Sequence, residues 1–132
     1  MNLKDVKTKG EFEPIPEGRY DLNVEKAELG QAETGNPMIK VTYKITDGTY
    51  KGRLVWDNFV LIPNSYWKLK TFLEASGSAL ADSENVTEQK IADAMVGMKV
   101  NGFLSPRTST SGKPTNDVKS YISIKAASAL LN

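Results

Sequence analysis

The feature that most constrains this chain is a double change of hydrophobic period: alternation first, helical spacing in the middle, alternation again. Over residues 19–29, Tyr20, Leu22 and Val24 alternate with Arg19, Asp21, Asn23 and Glu25. Over residues 38–46, Ile39, Val41, Tyr43 and Ile45 alternate with Lys40, Thr42 and Lys44. A period of two puts one set on the buried face of a strand and the other on its solvated face. Residues 30–37 form a loop by composition, and Asp47-Gly48 is a hairpin signal. A third strand over residues 53–62 stops at Pro63.

The period then becomes helical. Tyr66, Leu69, Phe72 and Leu73 share one helix face, Asn64 or Ser65 can cap its start, and Gly77 can end it. A second short helix follows, with Thr87 as N-cap, Val86 and Ile91 as its hydrophobic staple, and Gly97 as its stop. Alternation returns with Met98, Val100 and Leu104 set against Lys99, Asn101 and Phe103. After a Ser/Thr/Pro/Gly loop at 105–115, the last strand covers residues 116–125. Val118, Ile122 and Ile124 are read inward there, and Lys119, Tyr121, Ser123 and Lys125 outward. An all-β chain with a helical insertion between strands three and four is the order of a five-stranded OB-fold barrel. The same elements also fit an open α+β sheet. Residues 1–18, with Pro14 and Pro16, read as an arm, 19–126 as the barrel domain, and 127–132 as a short end.

Composition narrows the chemistry. The 132 residues contain no Cys and no His. That excludes a disulfide scaffold, a thiolate metal site, a cysteine nucleophile and the commonest general base. The carboxylates that remain show no metal-binding spacing, so no cofactor, no metal and no catalytic residue is expected. Gly112-Lys113 is not a phosphate loop, because Arg107 stands where the first glycine should and Pro114 where Ser or Thr should. No apolar run or N-terminal leader suggests a membrane span or secretion, so a cytoplasmic protein is expected.

Net charge is only +1, yet it is unevenly placed. Residues 38–73 and 97–132 each carry +4, whereas 1–37 carry −3 and 74–96 carry −4. The basic segments hold most of the surface that OB barrels use for oligonucleotides. Lysines on strand faces often serve only solubility and edge protection. Here they coincide with outward aromatics: Lys119 with Tyr121, and Lys99 with Phe103. Cations that neutralise phosphates beside rings that stack on any base are the chemistry of sequence-tolerant single-strand binding. Phe103 fits base stacking and a barrel-end or dimer contact equally well. An even turn at Asp47-Gly48 sends Leu54 and Trp56 inward and leaves Arg53 outward with Thr42, and it requires a bulge near Asp57-Asn58. An odd turn reverses this. Trp56 is assigned to the core on the even turn, and Trp67 is assigned to packing.

Four motifs, F-x-P-I-P-E-G-x-Y (12–20), T-G-N-P-M-I (34–39), D-G-x-Y-K-G-R (47–53) and L-K-x-F-L-E-A-S-G (69–77), resemble a family of small bacteriophage proteins. That family long stood as a domain of unknown function. Its members are regarded as OB-fold single-stranded-DNA-binding proteins of phage replication and recombination. The resemblance spans residues 12–125. It implies a binding surface on Lys40, Lys44 and Arg53, and on the last loop with Arg107 and Lys113. The expected partner is therefore single-stranded DNA, coated without sequence preference in the host cytoplasm. A homodimer and contacts with phage replication or recombination proteins stay open. An acidic recruiting tail is not expected, because residues 126–132 carry no charged side chain. The full candidate set is Lys40, Lys44, Arg53, Lys99, Phe103, Arg107, Lys113, Lys119 and Tyr121. The rival readings are an OB-fold protein-interaction module and, at greater remove, a nuclease.

Overall fold

The computed structural model describes residues 14–108, 112 and 114–130. The strands are β1 (Gly18–Gln31), β2 (Pro37–Ile45), β3 (Leu54–Val60), β4 (Lys99–Thr108) and β5 (Pro114–Ile122). They form one antiparallel sheet in the order β3-β2-β1-β4-β5. Helices α1 (Tyr66–Ala75) and α2 (Glu88–Met95) lie between β3 and β4 in the chain, and α3 (Ile124–Leu130) follows β5. No helix among the described residues is long and apolar enough to cross a membrane.

The long strand β1 serves two partners. Its first part, from Gly18 to Asn23, pairs with β4, and its second part, from Leu22 to Gln31, pairs with β2. A register shift between Val24 and Lys26 marks the change. Such a bulge sharpens the local twist and curls the sheet. The hydrogen-bonded ladder is nonetheless open. The edges β3 and β5 come together through side chains, without ladder hydrogen bonds between them. The expected closed ladder is thus replaced by a curled sheet whose edges meet at Asp57 and Tyr121.

The inward set fills the curl. Leu22, Val24, Ile39, Val41, Tyr43, Ile45, Val55, Phe59, Val100 and Leu104 are buried, with Phe72 of α1 and Met95 of α2 among them. Helix α1 buries Leu69, Phe72 and Leu73, and α2 buries Ile91, Ala92 and Met95, the helical spacing read in the sequence. Thr87 caps α2, its side chain accepting from the Lys90 N–H at 3.2 Å. Past α1, Gly77 takes a φ of +78°, and the Ser78 N–H returns to the Leu73 carbonyl at 3.0 Å, closing the helix end. The arm also packs. Ile15 is buried, and its N–H and C=O are both held by the Asn116 amide, at 2.9 and 2.8 Å.

Four expectations change. The β2–β3 loop, residues 46–52, is odd: Ile45 faces Arg53, with Ile45 N donating to Arg53 O at 2.9 Å and Gly52 N to Ile45 O at 2.8 Å. Lys44 therefore pairs with Leu54 and Thr42 with Trp56. Trp56 stands outside, and Asp57 takes the inward phase without a bulge in β3. In β5, a register shift opposite Phe103 and Leu104 inserts one extra residue between Val118 and Ser120. The alternation reverses there, so Val118 and Tyr121 both turn inward and Tyr121 is 5% exposed. Trp67 does not pack; it is 69% exposed. The last strand stops at Ile122. Ser123 then starts a helix, its Oγ accepting from Ala126 N at 3.0 Å, and the Ala-rich run that follows favours helix.

Candidate nucleic-acid interface

The outer face of β2 and β3 is set by the ladder. Lys40 lies opposite Asn58, Thr42 opposite Trp56, and Lys44 opposite Leu54. Trp56 thus projects between two lysines, each diagonal to it across one strand, a separation of about 7–8 Å. Trp56 is 58% exposed, on the same face as the exposed Leu54. Asn23 of β1 is partner to both Lys44 and Lys99, so the Cα atoms of those two lysines stand about 10 Å apart, two strand spacings. No carboxylate among the described residues lies within ion-pair distance of Lys40, Lys44 or Lys99. The neighbouring Lys26, by contrast, is paired with Glu28 at 2.7 Å.

The other candidates separate from this group. Arg53 lies opposite Ile45 and is half-buried, out of phase with Lys44. Arg107 donates to Asp117 Oδ1 at 2.7 Å, and Lys119 lies 3.6 Å from Asp117 Oδ2, so one carboxylate offsets both cations. Lys113 lies outside the described residues. Phe103 is half-buried with the Arg19 guanidinium 5.6 Å from its ring centroid. Between Phe103 and Lys99, Asn101 is buried beside α3 and donates to Asp21 Oδ1 at 2.9 Å. The structure thus assembles Lys40, Lys44 and Lys99 with Trp56, and disperses the rest.

Tyr121 is not a platform. It stacks among Tyr43, Phe59 and Phe72, with ring centroids 5.3–6.0 Å away. Its hydroxyl donates to Asp57 Oδ2 at 2.5 Å and lies 2.6 Å from the Tyr43 hydroxyl. A hydroxyl has one proton, so Tyr43 is the donor to Tyr121. Asp57 Oδ1 accepts from Lys68 Nζ and from the Asn58 N–H, both at 2.8 Å. Lys68 Nζ also reaches the Asn58 carbonyl at 2.9 Å. The backbone groups of Asn58 on the free side of β3 are therefore satisfied by side chains, which blunts that edge against pairing with another strand. Burial pushes both tyrosine hydroxyls well above the ordinary pKa of 10.0, and the Asp57 carboxylate pushes them the same way. They are neutral donors at neutral pH. This network joins β2, β5, β3 and α1, and it fixes the strand that presents Trp56.

The chain is a small, mostly-β domain: one curled, open five-stranded antiparallel sheet with three helices and a cation-flanked aromatic on its outer face. The sequence model of the family described as "Protein of unknown function (DUF669)" matches residues 1–129, and the chain belongs to that family. A comparison with curated proteins finds no match.

Proposed function

We propose that this protein binds single-stranded DNA without sequence preference, on an OB-type barrel, and coats and protects strands in phage replication or recombination. The observation that carries the reading is Trp56, exposed between Lys40 and Lys44 on the strand pair that OB barrels use for oligonucleotides. The strand order and the approach of β3 to β5 support the barrel. The indole offers a π-face to any unpaired base, and the lysines meet the phosphates on either side. Duplex DNA keeps its bases stacked and offers Trp56 no partner.

The test is a titration of the protein with oligo-dT and with duplex, followed by tryptophan emission. Oligo-dT is expected to bind well and duplex far more weakly. Trp56→Ala is expected to weaken oligo-dT binding by about 1–3 kcal/mol and to leave the melting temperature unchanged. Equal competition by duplex, or no binding at micromolar protein, would sink the proposal. A second reading, a protein-interaction module, draws on the groove of about 380 Å³ lined by Leu61, Leu69, Leu73, Leu80 and Ile91. It becomes the leading one if no nucleic acid binds.

A further inference from the structure

We infer that Trp67 is a second stacking platform for the same single strand, reached from Trp56 past the β3 edge; this rests on the single-strand reading above. Trp67 is the most exposed large hydrophobic residue among those described, at 69%. It lies on the solvent side of α1. The helix buries Leu69, Phe72 and Leu73, and at about 100° per residue Trp67 points roughly 120–160° away from each of them. Such a position on a surface helix ordinarily holds a polar residue, and nothing in the core uses this ring.

The helical turn that carries Trp67 is fastened beside the proposed face. Lys68, the next residue, binds Asp57 Oδ1 and the Asn58 carbonyl, one and two residues beyond Trp56. By strand rise, lysine reach and Cα spacing, the two tryptophan Cα atoms lie within roughly 20 Å of each other. A strand of the roughly 4–16 nucleotides that one OB barrel engages can touch both rings.

Charge favours the same occupant. Residues 66–73 contain Lys68 and Lys70 and no carboxylate, and acidic residues resume only at Glu74. Lys68 is held by Asp57, but no carboxylate among the described residues is within ion-pair distance of Lys70. A protein partner would instead find its apolar seat in the groove between α1 and α2, and Trp67 does not line that groove.

The chain has only two tryptophans, so Trp67→Phe and Trp56→Phe each leave one indole as reporter and keep a ring at the other site. Each variant is titrated with oligo-dT of about 4 and about 20 nucleotides, lengths that bracket the barrel's range. The Trp56 signal should respond to both lengths, and the Trp67 signal only to the longer one. Trp67→Ala should weaken binding of the longer oligomer roughly tenfold and leave the shorter one unchanged. A Trp56 response with a Trp67 signal indifferent to the longer oligomer overturns this inference and leaves the Trp56 face standing. No response from either indole overturns both. A Trp67 signal that follows protein concentration without DNA assigns the ring to contact between copies and also overturns it.

Discussion

Tyr121 and Trp56 exchange the roles that strict alternation assigns them. Tyr121 sits in the core with its O–H donating to Asp57, and its oxygen accepts the hydrogen bond of the Tyr43 hydroxyl. Removing only that hydroxyl, in Tyr121→Phe, keeps the ring packing but leaves Tyr43 without its acceptor and Asp57 Oδ2 without its donor. We expect a loss of about 1–3 kcal/mol in urea unfolding, the usual penalty for orphaned buried polar groups. The same network sets a pH dependence. Both hydroxyls titrate well above 10.0 in the folded protein, so the native state keeps protons that the unfolded chain releases. Their contribution is complete below pH 10 and is lost as pH rises above it. The loss should reach about 1.4 kcal/mol per pH unit for each tyrosine until the folded-state values are passed. Urea midpoints measured from pH 9 upward should show this fall, and Tyr121→Phe should make it shallower by one tyrosine's share. A flat profile through that range would mean that the hydroxyls are reached by solvent.

At the scale of elements, β4 and β5 show how one bulge redirects a strand. Gly102 lies opposite Tyr121, where the shift brings that ring inward. A Cβ at Gly102 would stand 2.8 Å from Leu22 Cδ1 and 3.2 Å from Val118 Cγ1. Leu22 is fully buried among the core side chains, so its displaced methyl must press on core neighbours. Gly102→Ala is therefore expected to destabilise by about 1–3 kcal/mol through overpacking, read as a drop in the urea midpoint at unchanged m-value. An unaltered midpoint would mean that the β1–β4 contact is looser than these distances. On the other side of the sheet, the bulge in β1 lets one strand serve β4 and then β2. It thereby brings Lys44 and Lys99 to the same Asn23.

For the whole molecule, the decisive quantity is how many cations are free to meet phosphates. Lys40, Lys44 and Lys99 surround the Trp56 face, whereas Arg107 and Lys119 share Asp117. On a short strand that meets only this face, three phosphate contacts imply a log–log salt slope of about −2. Lys44→Ala should flatten that slope by about 0.7, and Lys119→Ala should leave it nearly unaltered. Titrations of oligo-dT across a salt series decide this. A slope near zero would remove the electrostatic part of the binding model, and an effect of Lys119→Ala equal to that of Lys44→Ala would move the face toward β5. The net charge of +1 does not oppose such binding, because the acidic excess lies in 1–37 and 74–96 and the free lysines lie elsewhere.

Alternation and helical spacing determine a great deal without any fold. The inward sets of β1 and β2, the buried faces of α1 and α2, the Thr87 cap and the glycine stop after α1 all follow from neighbours in sequence, because periods of 2 and 3.6 are local properties. The outward direction of Lys40, Lys44 and Lys99 follows in the same way. Only the tertiary structure decides where that local phase is reset. The parity of the loop at 46–52 turns Trp56 out and Asp57 in, and a single extra residue in β5 turns Tyr121 in. Both depend on pairing with a partner strand, and a one-residue change of register inverts every side chain beyond it. The helix α3 was legible in Ser123 and the alanines after it, but Ile122 and Ile124 continue a strand period across that boundary. The meeting of β3 with β5 through Asp57 and Tyr121, residues 64 positions apart, has no local signature at all. It exists because the curled sheet brings its two edges together, and there the buried hydroxyl and the carboxylate satisfy each other.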